Sequence, residues 1–205
     1  MERYWAVGAV VSGLVLVGCS PEQEATGRAA SPEAAASQPV ASPGKGEPLG
    51  GAGTPCALPV SFETAQDWTA EEVDTSDPEF VLKQGSVTLV CEVDAKPAGH
   101  VGFLRVWTGT GKGGTARSAL ESFVDAERDA GEKRYRETEA GGAPAAEVTY
   151  TVDGEWTDGP KDERAFAVMT PRGPVVVHLG GLDSAEHRAM LPAYEQAKRT
   201  LVLNS

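Results

Sequence analysis

Cysteine, histidine and methionine are scarce in this chain of 205 residues, with three of each, and aromatic residues make up only 6%. His100, His178 and His187 are far apart and form no HExxH or comparable pair, and there is no CxxC, so metal sites recognisable by spacing are excluded. No G-x-S-x-G elbow occurs, which removes the usual signature of a serine hydrolase. Bases are outnumbered too, 18 Lys plus Arg against 30 Asp plus Glu, for a net charge of −12. A chain this acidic does not attract phosphate backbones, so nucleic acid is not expected as a partner. The apolar run Ala6 to Val17 holds twelve residues, short of the roughly 20 that a membrane-spanning helix needs.

That run instead has the length of a signal-peptide core, preceded by the single base Arg3. It ends in Leu16-Val17-Gly18-Cys19, which resembles the lipobox of bacterial lipoproteins. The resemblance implies diacylglycerol on the sulfur of Cys19, cleavage between Gly18 and Cys19, and often acylation of the new terminus. Two acyl chains or more give a durable anchor where one gives a marginal hold. Residues 1–18 are thus expected to be a signal peptide, and the remainder to be held on the extracytoplasmic face of a cell membrane.

With Cys19 assigned to lipid, Cys56 and Cys91 remain as one pair in an exported chain, and a disulfide between them is expected. Two buried free thiols are the alternative. From residue 19 to 54 the composition is Ala, Pro, Gly, Ser and Glu without an aromatic residue, which predicts a disordered tether, and residues 55–205 should form one globular domain. The tether holds four acids and two bases, so about −10 of the charge falls on the domain.

Within the domain, Val87, Leu89, Cys91 and Val93 alternate with more polar neighbours, which predicts a strand with one face buried, and Val101 to Trp107 follows as its hairpin partner. Thr115 to Ala130 carries Ala116, Leu120, Phe123 and Val124 at helical spacing, with Ser118 and Glu121 as a capping box and Gly131 as the stop. Ala146 to Val152 alternates again. Arg164 to Thr170 and Val175 to Gly180, separated by Pro171-Arg172-Gly173-Pro174, read as a hairpin of central strands. Asp183 with Glu186 should cap a final helix bearing Met190, Leu191, Tyr194 and Leu201, kinked or restarted at Pro192. Strands with one helix among them and one at the end predict an α+β fold, an antiparallel β-sheet packed by helices.

Two loops invite chemistry and do not support it. Thr108 to Gly114 lies between strand and helix like a phosphate loop, but Gly113 follows Lys112 where Ser or Thr is required. Asp153 to Gly159 has Asp158 where a calcium loop of the EF-hand type needs glycine. Trp68, Trp107 and Trp156 could line a ligand groove, with Arg105 two residues from Trp107, and His178 on a central strand is a core or groove histidine. The ligand-contacting candidates are therefore Arg105, Trp107 and His178. A pocket in which His178 meets two carboxylates would favour an envelope enzyme, a continuous apolar groove without convergent titrating groups a binder, and no pocket at all a purely structural surface lipoprotein.

Cys56, Val60-Ser61-Phe62, Asp67-Trp68, the stretch Val90 to Phe103, Gly180 to Asp183 and Met190 to Tyr194 together resemble uncharacterised actinobacterial lipoproteins of the Streptomyces type. More distantly, the domain is similar to LpqN-type lipoproteins and to the PsbP-like fold, an antiparallel sheet sandwiched by helices. Neither resemblance brings catalytic residues or a cofactor. The expectation is a non-enzymatic binding or accessory module of the cell envelope, attached to the membrane through its N-terminal lipid, serving an envelope protein or an amphipathic small molecule.

Overall fold

A computed structural model describes residues 42–111, 113–153 and 159–205. In chain order these form β1 (Lys45–Leu49), β2 (Val60–Ala65), β3 (Thr69–Glu72), β4 (Lys83–Gln84), β5 (Val87–Asp94), a single 3-10 turn (Lys96–Ala98) and β6 (Gly102–Thr108). There follow α1 (Ala116–Asp125), β7 (Ala130–Ala140), β8 (Ala143–Asp153), β9 (Pro160–Thr170), β10 (Gly173–Gly181), α2 (Ser184–Thr200) and β11 (Val202–Leu203). The large sheet runs β3-β5-β6-β10-β9-β8-β7, with β4 also on β5, and a small sheet runs β1-β2-β11. Every pairing between named strands is antiparallel. The architecture is therefore the expected α+β class.

Two cores lie on the two faces of the large sheet. Leu104, Val106, Val177 and Leu179 pack with Tyr194, Met190, Phe62 and Val60 on the side of α2 and the small sheet. Trp107, Val148, Ala165 and Val176 pack under Leu120, Phe123 and Val124 of α1. Strand β10 is buried along its whole length because both of its faces are covered.

β5 departs from simple alternation. Leu89 is opposite Trp107 but Cys91 is opposite Val106, so the register shifts between them. The extra residue turns the strand over, sending Val87 and Leu89 to the α1 core and Cys91 and Val93 to the α2 core. The series expected to share one face is divided between two.

Five local expectations are corrected. β1 lies inside the segment assigned by composition to the tether; Lys45 pairs with Ala65 and Leu49 with Phe62, and Leu49 is buried, so the fold begins before residue 55. α1 is capped by Thr115, whose hydroxyl accepts from Ser118 N at 3.0 Å while Ser118 Oγ accepts from Thr115 N at 2.9 Å. Glu121 instead pairs with Arg117. The helix stops at Asp125, Asp129 takes a left-handed φ of 62°, and Gly131 belongs to β7. At α2, Asp183 caps as expected through Ala185 N and Glu186 N, both at 2.8 Å, but the Glu186 carboxylate accepts from Val101 N at 3.2 Å. α2 continues unbroken through Pro192.

Cys56 and Cys91 are joined, with Cα atoms 6.0 Å apart, tying the loop after β1 to β5 within the α2 core. Asn204 closes the small sheet by donating to the carbonyls of Gly50 and Leu58 at 3.1 and 3.0 Å.

Candidate functional site

The α1 face of the large sheet is dry beneath the helix and open beyond its end. Arg105 on β6 stands opposite His178 on β10, and Phe103 opposite Gly180. Tyr150 on β8 stands opposite Glu163 on β9. These residues floor a cleft of about 500 Å³, with Trp107 at the inner side and Gln84 and Glu127 at the helix end. That volume lies within the range of small-molecule sites, roughly 300–1,000 Å³.

Gly180 gives the cleft its depth. A Cβ there would meet Glu163 Oε2 and His178 Cε1, each at 3.3 Å, and Arg105 Nη1 at 3.8 Å. A larger side chain would occupy the space above the floor.

His178 is 8% exposed and locked from several sides. Its Nε2 lies 2.8 Å from Glu163 Oε2 and 3.2 Å from the Tyr150 hydroxyl, and Phe123 of α1 packs against the ring at 5.5 Å between centroids. Lys161 Nζ holds the other Glu163 oxygen at 2.6 Å and donates to Gly181 O at 3.1 Å. Burial pushes the Glu163 carboxyl up, but His178 and Lys161 outweigh it and hold it below the usual carboxylate range. An ionised Glu163 is an acceptor, so Nε2 carries the proton and donates to it. Burial, reinforced by the charge of Glu163, pushes Tyr150 well above its ordinary value, and it stays a phenol.

This geometry fixes the imidazole in place. A histidine that activates a nucleophile is oriented through one ring nitrogen and works through the other. Here Glu163 and Tyr150 share Nε2, while Nδ1 is buried without a hydrogen-bond partner among the described residues. No serine, threonine or cysteine lines the cleft among the described residues. Trp107 Nε1 is likewise buried without a partner. Among the described residues, no three His, Cys, Asp or Glu side chains gather as metal ligands would.

At the mouth, Arg105 is held by Glu92, with Nε 2.6 Å from Oε1, and its guanidinium lies over Phe103. The Gln84 amide donates to Phe123 O at 3.1 Å and reaches Glu127 Oε2 at 3.5 Å. Burial pushes the Glu127 carboxyl above its usual range. Leu82, Val101 and Leu182 form an apolar rim, 56%, 51% and 53% exposed.

All three residues singled out from the sequence, Arg105, Trp107 and His178, therefore line one cleft. Trp68 does not join them; it borders a separate depression with Pro48, Leu49 and Pro55. Cys56 and Cys91 lie in the core across the sheet. Cys19, Lys112 and Trp156 fall outside the described residues. Sequence reasoning missed Glu163, Tyr150, Glu127 and Gly180. One signal was present: a charged residue at an inward position, Glu163 in step with Ala165 and Ala167 along one face of β9.

A model for a family of uncharacterised lipoproteins matches residues 23–201. No curated protein matches the chain. Among solved structures, the chain is similar to the solution structure of cyanobacterial PsbP (CyanoP) from Synechocystis sp. PCC 6803, at 14% identity and a TM-score of 0.47, over 71% of this chain and 87% of that one.

Proposed function

We propose, from the premise that this chain belongs to a family of uncharacterised lipoproteins, that it is a lipid-anchored, extracytoplasmic binding or accessory module of the bacterial cell envelope. The lipid is carried by Cys19, the tether lets the domain stand off the membrane, and the cleft on the α1 face holds an amphipathic small molecule. Among the described residues no helix is long and apolar enough to cross a membrane.

The observation that carries the binding reading is the cleft itself. It combines a floor of fixed polar groups with an apolar rim, the pattern of a site that orients one end of a ligand and shelters the other. His178 meets one carboxylate, Glu163, and Glu127 lines the same cleft, so the two-carboxylate arrangement expected of an enzyme is present only in part. Two features favour a binder all the same: the ring nitrogen left over, Nδ1, is buried rather than open to the cleft, and among the described residues the lining offers no hydroxyl or thiol apart from the Tyr150 phenol.

The test compares the wild-type lipoprotein with Gly180→Val, purified from its own membranes, with small molecules extracted and identified by mass spectrometry. A compound enriched on the wild type and absent from a variant of matching thermal midpoint supports the reading. Equal recovery from both, or none from either, refutes it.

A further inference from the structure

We infer that the cleft takes an amphipathic cation: a primary ammonium group seated at Glu127, with its apolar body against Leu82, Val101 and Leu182. The inference rests on the cleft being a binding site and names its ligand class.

Charge bookkeeping around the cleft distinguishes the ends of a ligand. Both cations that line it are already engaged, Arg105 with Glu92 at 2.6 Å and Lys161 with Glu163 at 2.6 Å. Lys161 is further tied to the Gly181 carbonyl. To bind an anion, one of them must leave its carboxylate. For Lys161 that would strip Oε1 of Glu163, which is 4% exposed, of its ion pair and leave the carboxylate to His178 alone, and removing a partner from a buried pair is unfavourable.

Glu127 is in the opposite situation. It is half-buried at the end of α1, and among the described residues no cation lies within ion-pair distance of it. Among the described residues its carboxylate has one hydrogen-bond contact, the long 3.5 Å approach of Gln84. An ammonium group placed there gains a charge-assisted hydrogen bond and breaks no existing pair. The domain's acidic balance favours the approach of a cation as well.

The rim fixes the rest of the ligand. The large apolar side chains exposed among the described residues are Phe80, Leu82, Val101, Leu182, Val202 and Leu203, and half of these line this one cleft. Phe80, 74% exposed, stands two residues before Leu82. Apolar side chains concentrated around a polar floor suit a molecule with a charged head and a hydrocarbon body, rather than a uniformly polar one.

The experiment is isothermal titration calorimetry of the mature lipoprotein in neutral-lipid nanodiscs, with empty discs subtracted, against hexylammonium, hexanol and hexanoate. Hexylammonium should bind about tenfold or more tighter than hexanol, and hexanoate weakest. Glu127→Gln should bring hexylammonium to the level of hexanol while leaving hexanol unchanged, and Glu127→Lys should reverse the order in favour of hexanoate. Hexanol or hexanoate binding as tightly as hexylammonium, or indifference to Glu127→Gln, overturns the inference and leaves the binding reading standing. Silence of all three probes overturns the inference, and continued recovery of a cleft-dependent compound in the Gly180→Val comparison then shows that only the ligand class was wrong.

Discussion

Replacing Glu147 with alanine should remove more stability than any other single charge in the domain. Glu147 is fully buried on β8, its side chain turned toward α2 while Ala146 and Val148 serve the α1 core. Oε1 accepts from the Tyr194 hydroxyl at 2.9 Å and from Lys198 Nζ at 3.1 Å, and Oε2 accepts from Arg136 Nε at 2.5 Å. Burial pushes this carboxyl up, but the Arg136 hydrogen bonds and the nearby Lys198 charge prevail and hold it below the usual range. Glu147→Ala strands a lysine that is 6% exposed and a fully buried tyrosine hydroxyl. Breaking such a buried cluster costs about 3–5 kcal/mol, a large share of the roughly 5–15 kcal/mol that a domain has. At about 2–4 °C per kcal/mol for this size, the midpoint should fall by roughly 6–20 °C.

Urea unfolding followed by tryptophan fluorescence measures the loss, and two controls give the result its meaning. Arg136→Ala should cost under about 1 kcal/mol, because the Arg136 side chain is 61% exposed and water replaces its partner. Acid should narrow the gap between wild type and Glu147→Ala. A depressed carboxyl contributes stability above its unfolded pKa, and that stability is lost as pH falls below about 4. A loss under about 1 kcal/mol for Glu147→Ala, or equal losses for the two variants, would refute the reasoning.

Three further outcomes are expected. Non-reducing mass mapping should show Cys56 linked to Cys91, and reduction should cost about 3–4 kcal/mol for the 35-residue separation it releases; alkylation of both thiols in the native oxidised protein contradicts this. Burial lowers His187 from 6.5 to about 4, so the unfolded chain takes up its proton first and stability declines as pH falls from about 6.5 toward 4, by on the order of 3 kcal/mol. His187→Leu should flatten that part of the pH profile, and an unchanged slope assigns it to another group. Cys19→Ala should leave the detergent phase on membrane partition, whereas retention there argues against the lipid.

Strands were legible where pattern and environment agreed. β10 is a continuous apolar run because it is central and covered on both sides, and Pro171 to Pro174 marks its hairpin with β9. β7 was illegible for the converse reason: Glu132 to Glu139 is an edge segment, mostly exposed, with no apolar series to betray its period. β1 hid within a Pro- and Gly-rich composition, where backbone pairing with β2 and one buried side chain, Leu49, suffice to order it. The bulge at Leu89/Cys91 cannot be read from alternation, since the residues keep period two along the chain while the strand itself turns over. The cleft brings together residues of β4, β5, β6, β8, β9 and β10 with one beyond α1, so no local spacing encodes it.

The misplaced end of α1 bears most directly on the site. Apolar spacing carried the helix to Ala130, and the structure ends it at Asp125. Five more residues at 1.5 Å each would extend it about 7 Å past Asp125, beyond the turn from which Phe123 rests on the His178 ring. The chain leaves the helix here, and Glu127 just past it lines the same cleft as Arg105, Gly180, Glu163 and Tyr150. Beneath the existing helix the same face bears Ala165, Ala167, Val148 and Val176, as a dry interface requires. Beyond it the inward positions change to His178 and Glu163, and the exit from the helix leaves Glu127 on the lip of the cleft. The change from apolar to polar along β9 and β10 thus coincides with the edge of the helix cover, which ties the polar floor to the opening rather than to the packing of the core.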